Sequence, residues 1–395
     1  MQLSKGYFVL DQAADKEPRV EQRAYVVVTG AHGFIGNHIL EKILTAEISD
    51  LKKAPEDLTG EEQKPRTAQV RFSQQLNVPQ SSLDVWAVDL PESTSRPTAH
   101  RFAQSSRVKM VFLKDLMSEL RAASHPPLAV IHNGACSSTV ETNPAVFSEL
   151  NVGSSQDLWN YCAEKNIPFI YASSAAVYGD GLKGFSDAGA SASGFTPLNL
   201  YGHSKLDFDL WAQSQSKAPP YWFGLRYFNV YGPFEGHKGG QASMVFHGYQ
   251  QATRTGSIRL FKSNTARYGD GDQLRDFVYV KDIVRVTMHL LKISLSQSLP
   301  QTAQNLLSGP GRGCFVNVGT GEARSWNHLA AAVFDAIALP RKIEYIEIPG
   351  NIAGQYQNYT CADISNLRAL GFKAKFTTLE DGVREYVQRY LMRGL

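Results

Sequence analysis

The segment Tyr201-Gly202-His203-Ser204-Lys205 sets a phenol and an amine four residues apart, so that on a helix both side chains share one face. A free tyrosine ionises near ~10 and is a poor base at neutral pH. A neighbouring ammonium favours the phenolate, and Tyr201 can then exchange a proton with a substrate hydroxyl while Lys205 supplies the charge. Upstream, Tyr171-Ala172-Ser173-Ser174-Ala175-Ala176-Val177-Tyr178-Gly179 carries small hydroxyls at the end of an apolar run. An open parallel sheet presents its site at the carboxyl ends of its strands, so Ser174 can hydrogen-bond the reacting oxygen. A YxxxK pair alone arises in many helices and needs a cofactor site beside it to mean anything.

That site follows the first strand, in Val26-Val27-Val28-Thr29-Gly30-Ala31-His32-Gly33-Phe34-Ile35-Gly36. Gly30 permits the tight turn, Gly33 lets backbone approach a pyrophosphate, and Gly36 allows close helix packing. The following helix, with Ile35, Ile39 and Ile43 four apart, aims unpaired N–H groups at the phosphates. The GxxGxxG spacing, instead of GxGxxG, resembles the short-chain dehydrogenases. Asp89 ends the second strand and is placed to accept bonds from the adenosine ribose. Arg96, Arg101 or Arg107 can neutralise a 2′-phosphate, which admits NADP as well as NAD without saying which arginine would do it. A bound nicotinamide's positive charge adds to the pull on the Tyr201 proton.

The elements that must position these groups alternate short apolar runs with helical patterns. Runs at Tyr25–Val28, Val85–Val88, Val108–Leu113, Leu128–Ile131, Phe169–Ala172 and Trp222–Leu225 predict a parallel sheet covered on both faces. The fold class is therefore α/β, a Rossmann-like doubly wound sheet, with a smaller, discontinuous C-terminal α/β domain contacting substrate. Residues 1–23 read as an N-terminal extension and 24–232 as mainly the cofactor domain, interrupted by a polar insertion over about 45–82. Residues 233–395 read as mainly the substrate domain, with some segments returning to the first. A Ser/Gln/Gly/Pro-rich stretch over 294–313 reads as a mobile loop.

Composition fits this reading: 395 residues with 43% hydrophobic and 19% charged content make a globular chain of about two domains. The net charge of +3 is dispersed, leaving no basic run for nucleic acid or a membrane surface. Cys136, Cys162, Cys314 and Cys361 lie far apart without CxxC, so their spacing implies neither a metal site nor a disulfide framework. No stretch approaches the ~18 apolar residues of a membrane span, and the N-terminus lacks a signal-peptide pattern. A reducing cytoplasm is the expected home.

A closer resemblance emerges from Ile131-His132-Asn133-Gly134-Ala135-Cys136-Ser137-Ser138-Thr139, Pro168 to Ala176, Arg226-Tyr227-Phe228-Asn229-Val230-Tyr231-Gly232-Pro233, Glu235-Gly236-His237-Lys238-Gly239 and Arg275-Asp276-Phe277-Val278-Tyr279-Val280. These resemble the ADP-glyceromanno-heptose 6-epimerases from about residue 24 to 392, outside the insertions. The resemblance implies oxidation at C6 of the heptose by tightly bound NADP, then hydride return to the opposite face of the ketone, for lipopolysaccharide core synthesis. It assigns the two proton-transfer roles to Tyr201 and Lys238. On the cofactor side it matches Phe34, Ile35, Asp89, Leu90, Asn133, Gly134, Ala135, Cys136, Ser137, Asn151, Lys205, Val230 and Lys238. On the substrate side it matches Ser174, Asn229, Gly240, Ser243, His247, Phe261, Lys262, Ser263, Asn264, Arg275 and Tyr356. Arg275 is the expected diphosphate ligand, because a guanidinium offers paired donors to phosphate oxygens; the bland alternative is a surface salt bridge with Asp276.

The resemblance further implies a homo-oligomer acting on a nucleotide sugar, with no metal. The chain departs from the family at Asn133, where a glutamate is usual, at Gly240, where a serine is usual, and at Phe261-Lys262-Ser263-Asn264, where Phe-Glu-Gly-Ser is usual. An epimerase or dehydratase of a UDP- or GDP-sugar is the nearest enzymatic alternative. A non-catalytic nucleotide sensor is the other, and the presence of Ser174, Tyr201 and Lys205 together argues against it.

Overall fold

The fold is that of a computed structural model in which residues 23–53, 83–188, 194–307, 310–354 and 356–395 are described. Its centre is a seven-stranded sheet built from β1 (Tyr25–Thr29), β2 (Asp84–Asp89), β3 (Val108–Phe112), β4 (Ala129–His132), β5 (Phe169–Ser174), β6 (Tyr221–Tyr227) and, after three strands outside it, β10 (Arg312–Val318). The spatial order is β10-β6-β5-β4-β1-β2-β3 and every pair is parallel. The order in which strands are added reverses between β1 and β4, the switch point where such sheets open a crevice for ligands.

Burial on both faces explains the unbroken apolar runs. Along β1, Val26 and Val28 pack into one core while Tyr25 and Val27 pack into the other. Of the principal helices, α1 (Phe34–Leu44) covers the first face with Ile39, Leu40 and Ile43. The second face is covered by α2 (Ser154–Lys165) with Leu158, Trp159 and Cys162, and by α3 (Leu200–Ser214) with Phe208 and Ala212.

A second lobe is assembled around β7 (Asn229–Tyr231), β8 (Ile258–Phe261), β9 (Leu274–Tyr279), β11 (Ala323–Ser325) and β12 (Ile343–Ile346), which form a three-stranded sheet β11-β9-β7 and a two-stranded sheet β12-β8. Its core joins α4 (Met244–Thr255), α6 (Trp326–Ile337) and α7 (Leu379–Arg389) through Val245, Val333, Phe334 and Val383. Phe34 of the glycine turn belongs to that same core, so the two lobes meet at that turn. Between β9 and β10, α5 (Val280–Ser296) returns to the main sheet and buries Ile283, Leu290 and Leu291 beside α1.

Two expectations about insertions need correction. The stretch over 294–313 is not one loose loop: Ser294 is buried in α5, Ala303 and Leu307 enter the main core, and Arg312 begins β10. The insertion over 45–82 begins with a short helix, Ile48–Lys52, whose Ile48 and Leu51 are buried. The remainder, 54–82, and residues 1–22 of the N-terminal extension lie outside the described residues. No helix among the described residues is long and apolar enough to cross a membrane.

Candidate active site

The glycine turn is shaped by contact, not only by flexibility. Gly30 adopts φ +64°, and a Cβ there would lie 2.8 Å from the Gly134 nitrogen. At Gly36 a Cβ would lie 2.1 Å from the Gly30 carbonyl oxygen. The turn therefore packs flat against Asn133 and Gly134 across the switch point, and α1 starts with no side-chain cap and no acid in its first turn. Its first N–H groups lack intrahelical partners and suit a phosphate.

Asp89, at the end of β2, accepts the His32 N–H at 2.9 Å and the Leu90 N–H at 2.9 Å, which ties the second strand to the glycine turn. Arg101 and Arg107 are engaged elsewhere. Arg101 bonds Asn37 and reaches Glu41 at 2.8 Å, while Arg107 donates to the Leu83 and Leu44 carbonyls. The Arg96 side chain makes no hydrogen bond or ion pair among the described residues, and its charge acts on His32 and His237 beside Asp89.

The loop after β4 is held from behind. Asn151 sits in a π-turn, Ser148–Gly153, that leads into α2, a wide turn common at functional sites. Its amide accepts the Cys136 N–H at 2.7 Å and donates to the Cys136 carbonyl at 3.0 Å and to Ser204 Oγ at 2.9 Å. Ser204 in turn donates to the Tyr201 carbonyl at 2.8 Å, so one amide couples the Cys136 loop to α3. Both amide hydrogens and one acceptor site of the side chain are spent on protein, which makes Asn151 a support for the loop after β4. Thr29, His132 and Ser155 form a further layer. Thr29 Oγ1 accepts the Gly134 N–H and lies 2.7 Å from His132 Nδ1, and burial holds His132 neutral, down at about 3. Sequence reasoning passed over this layer, because nothing in a lone Thr or His predicts whom it faces.

On α3, Asn199 caps the helix by accepting the Gly202 N–H, which brings Tyr201 into the first turn and Lys205 one turn on. The Lys205 amine donates to the Ala172 carbonyl at 2.8 Å and stands 6.0 Å from the centre of the Tyr201 ring. Burial lowers Lys205 to about 8 against the opposing pull of Asp209. The Tyr201 phenol, in contrast, is raised by burial, with a hydrogen bond to Ser174 working the other way. Burial outweighs the Ser174 bond, so the phenol is held above its ordinary value by the groups around it.

Lys238 lies in the turn Gly236–Gln241, which docks on the loop after β4 through the Gln241 side-chain amide, 3.2 Å from Ser138 Oγ. The amine sits 5.2 Å from the centre of the Phe34 ring and 3.9 Å from Glu235 Oε2. Burial pushes Lys238 below the ordinary lysine value, and Glu235 pulls it back.

Arg275 is buried at 5% exposure in β9. It donates to the Leu274 carbonyl at 2.9 Å and to the Gln357 carbonyl, between the Tyr356 ring at 5.1 Å and the Trp326 ring at 5.6 Å. The salt bridge with Asp276 is absent. Asp276 instead accepts the Thr320, Gly321 and Ala362 N–H groups. Burial without an acid partner lowers Arg275 to about 10, leaving a guanidinium suited to an anionic ligand. The His247 Nε2, Tyr268 hydroxyl and Trp326 Nε1 are also buried without hydrogen-bond partners in this lobe. Tyr268 and Trp326 had no motif to announce them.

Other expected positions are less exposed to ligand. Ser243 caps α4 and gives its hydroxyl to Glu235 at 2.6 Å. Lys262 is exposed and paired with Glu347 at 2.7 Å, and Ser263 bonds within its own loop to Asp270 and Thr265. Asn229 lies 3.5 Å from Thr360, and Phe261 meets Tyr356 edge-on at 5.8 Å. Gly240 and Asn264 are exposed, and Val230 packs between the two lobes' cores.

The profile of the NAD dependent epimerase/dehydratase family matches residues 26–298. The chain belongs to that family. Within it the chain groups with the ADP-glyceromanno-heptose 6-epimerases. It is 44% identical over 273 residues to ADP-L-glycero-D-manno-heptose-6-epimerase of Fusobacterium nucleatum, covering 67% of this chain and 77% of that protein. It is 45% identical over 263 residues to the enzyme of that name from Nitratidesulfovibrio vulgaris, covering 67% and 76%. Among solved structures, the Helicobacter pylori ADP-L-glycero-D-manno-heptose-6-epimerase aligns with TM-score 0.62 at 25% identity, over 94% of this chain and 97% of that one. The Thermus thermophilus UDP-glucose 4-epimerase complex with NAD shares the fold at TM-score 0.63 and 23% identity, over 94% and 99%. This family places the chain among nicotinamide-dependent epimerases.

Proposed function

We propose that this protein inverts C6 of ADP-D-glycero-D-manno-heptose to the L-glycero epimer through a transient 6-keto sugar. The observation that carries the reading is the pair of enclosed proton-transfer groups contributed by different elements: Tyr201 on α3 and Lys238 on the Gly236–Gln241 turn, joined through the loop after β4. Each epimer needs a proton acceptor on its own face of the ketone, and the two amino-acid types meet that demand.

The bound nicotinamide supplies hydride exchange with C6, with zero net redox. The cradle fits such a group: the glycine turn and α1 N-terminus for pyrophosphate, Asp89 for ribose, and Asn133, whose buried Nδ2 has no protein partner, on the loop after β4. Tyr201 exchanges the sugar-hydroxyl proton on one side, with Ser174 bonding the phenol and Lys205 adding positive charge. Lys238 performs the same exchange on the other side, and Arg275 anchors the diphosphate. Arg96, uncommitted beside Asp89, favours NADP over NAD by neutralising a 2′-phosphate.

Incubation of purified, NADP-loaded protein with ADP-D-glycero-D-manno-heptose, followed by NMR of the sugar, is expected to show inversion at C6 without net cofactor reduction. Unchanged stereochemistry would reject the substrate. Turnover of a UDP- or GDP-sugar in its place would reassign it.

A further inference from the structure

Glu235 has no role in the chemistry just described, yet it is fully buried at 0% exposure. Its Oε1 accepts the Ser243 hydroxyl at 2.6 Å and the Gly232 N–H at 3.4 Å, and its Oε2 accepts the Ser243 N–H at 2.7 Å. The Tyr386 phenol bonds it from α7. Burial raises the Glu235 carboxyl above its ordinary value, and the Lys238 charge and the hydrogen bonds donated by Ser243 and Gly232 work the other way, toward the carboxylate. Burying an anion is costly unless it is bonded and paired, and the cation that pairs with it here is Lys238, 3.9 Å away.

We propose that Glu235 is a positioning residue for Lys238: its clamped carboxylate holds the amine beside the Phe34 ring and provides the counter-charge that keeps a proton available there. The inference rests on Lys238 being one of the two proton-transfer groups. An epimerase runs its reaction over both faces, so the group on each face must take a proton when its epimer is oxidised and return one when its epimer is formed. Burial weakens the lysine's hold on its proton, and a fixed carboxylate beside it strengthens that hold again. The groups facing Lys238 are Phe34 from α1 and Glu235 and His237 from its own turn, while Ser243 and Tyr386 face Glu235. Burial holds His237 below its ordinary value, so its titration lies acid of the lysine's.

The test compares pH profiles of kcat for wild type, Glu235→Gln, Glu235→Asp and Lys238→Met, together with a carbon NMR titration of the Lys238 side chain, cofactor binding and Tm. In Glu235→Gln the limb governed by Lys238, and the NMR titration with it, is expected to move to lower pH by roughly 1–3 units while cofactor binding persists. Glu235→Asp keeps the charge but withdraws it by one methylene, so the same shift should appear in smaller size; it also serves if the glutamine variant does not fold. An unmoved limb and an unmoved titration in whichever variant folds overturn the proposal. Full activity in Lys238→Met would instead overturn the functional reading, and Glu235's role with it. An inactive Lys238→Met beside a Glu235→Gln of wild-type profile overturns the positioning role alone.

Discussion

At the scale of single residues, the site is defined by groups whose charge the fold has made expensive. Burial pushes Tyr201 up, so its phenol keeps its proton more firmly, and pushes Lys238 down, so its ammonium gives one up more readily. General acid–base groups contribute typically 10²–10⁴-fold, so Tyr201→Phe and Lys238→Met should each lower kcat by about that much while NADP binding, read by fluorescence, is retained. Wild-type turnover in either variant removes that residue from the mechanism. Arg275, buried between Tyr356 and Trp326 with carbonyls as its only bonded partners among the described residues, should behave differently. A charge-assisted hydrogen bond is worth about 1.5–3 kcal/mol, so Arg275→Ala should raise KM roughly tenfold to a hundredfold. The same variant should weaken inhibition by ADP alone, and an unchanged KM would show that the diphosphate lies elsewhere.

At the scale of elements, the strand bearing Ser174 is braced from beneath by a buried pair. Asp209 of α3 accepts Arg226 of β6 at 3.1 Å and also the hydroxyls of Tyr171 and Ser173 on β5, locking helix and strands together. This explains why Tyr201 and Lys205 keep their register with Ser174. A second buried acid gives a pH dependence. Asp187 accepts the Asn317 N–H of β10, its Oδ1 is without a partner, and burial raises it to about 7, with Arg226 opposing and Asp363 adding. The folded carboxyl therefore holds a proton between its ordinary 3.8 and about 7 that the unfolded chain has released. Stability from this group is full at the acid end and is lost as pH rises through that window. Calorimetry of Asp187→Asn against wild type should show a Tm difference that grows in favour of the variant from about pH 4 to about pH 7 and levels off above it. A difference constant across that range would mean that Asp187 titrates normally.

At the scale of the whole molecule, the glycine turn is where the two lobes meet, since Phe34 lies in the second lobe's core and Ile35 packs against both. A cofactor bound there should stabilise the fold as a unit, by about 2.7 kcal/mol at a hundredfold excess over its Kd. NADP should raise Tm more than NAD at equal concentration, and Arg96→Ala should erase the difference without abolishing NAD binding. Equal shifts with the two cofactors in wild type would show that Arg96 does not read the 2′-phosphate. The short Ile48–Lys52 helix, packed by Ile48 and Leu51 against the main core, leaves the α1–β2 connection anchored at its start.

Much of this was legible in the residues themselves. Apolar runs of four to six between helical periods determined a parallel sheet, and the glycines at 30, 33 and 36 determined where it opens, because only glycine tolerates a Gly30 carbonyl 2.1 Å from a would-be Cβ. Tyr201 and Lys205 shared a face by spacing alone. What spacing could not decide was any relation between distant segments. That Asn151 holds the Cys136 loop, that Arg275 faces carbonyls and aromatic rings while Asp276 caps a turn, that Glu235 reaches Lys238 from within a core, and that Arg96 alone of three arginines has an uncommitted side chain are all outcomes of packing. Local sequence sets which conformations a segment prefers, but the charge state and partners of a side chain depend on what the rest of the chain buries beside it.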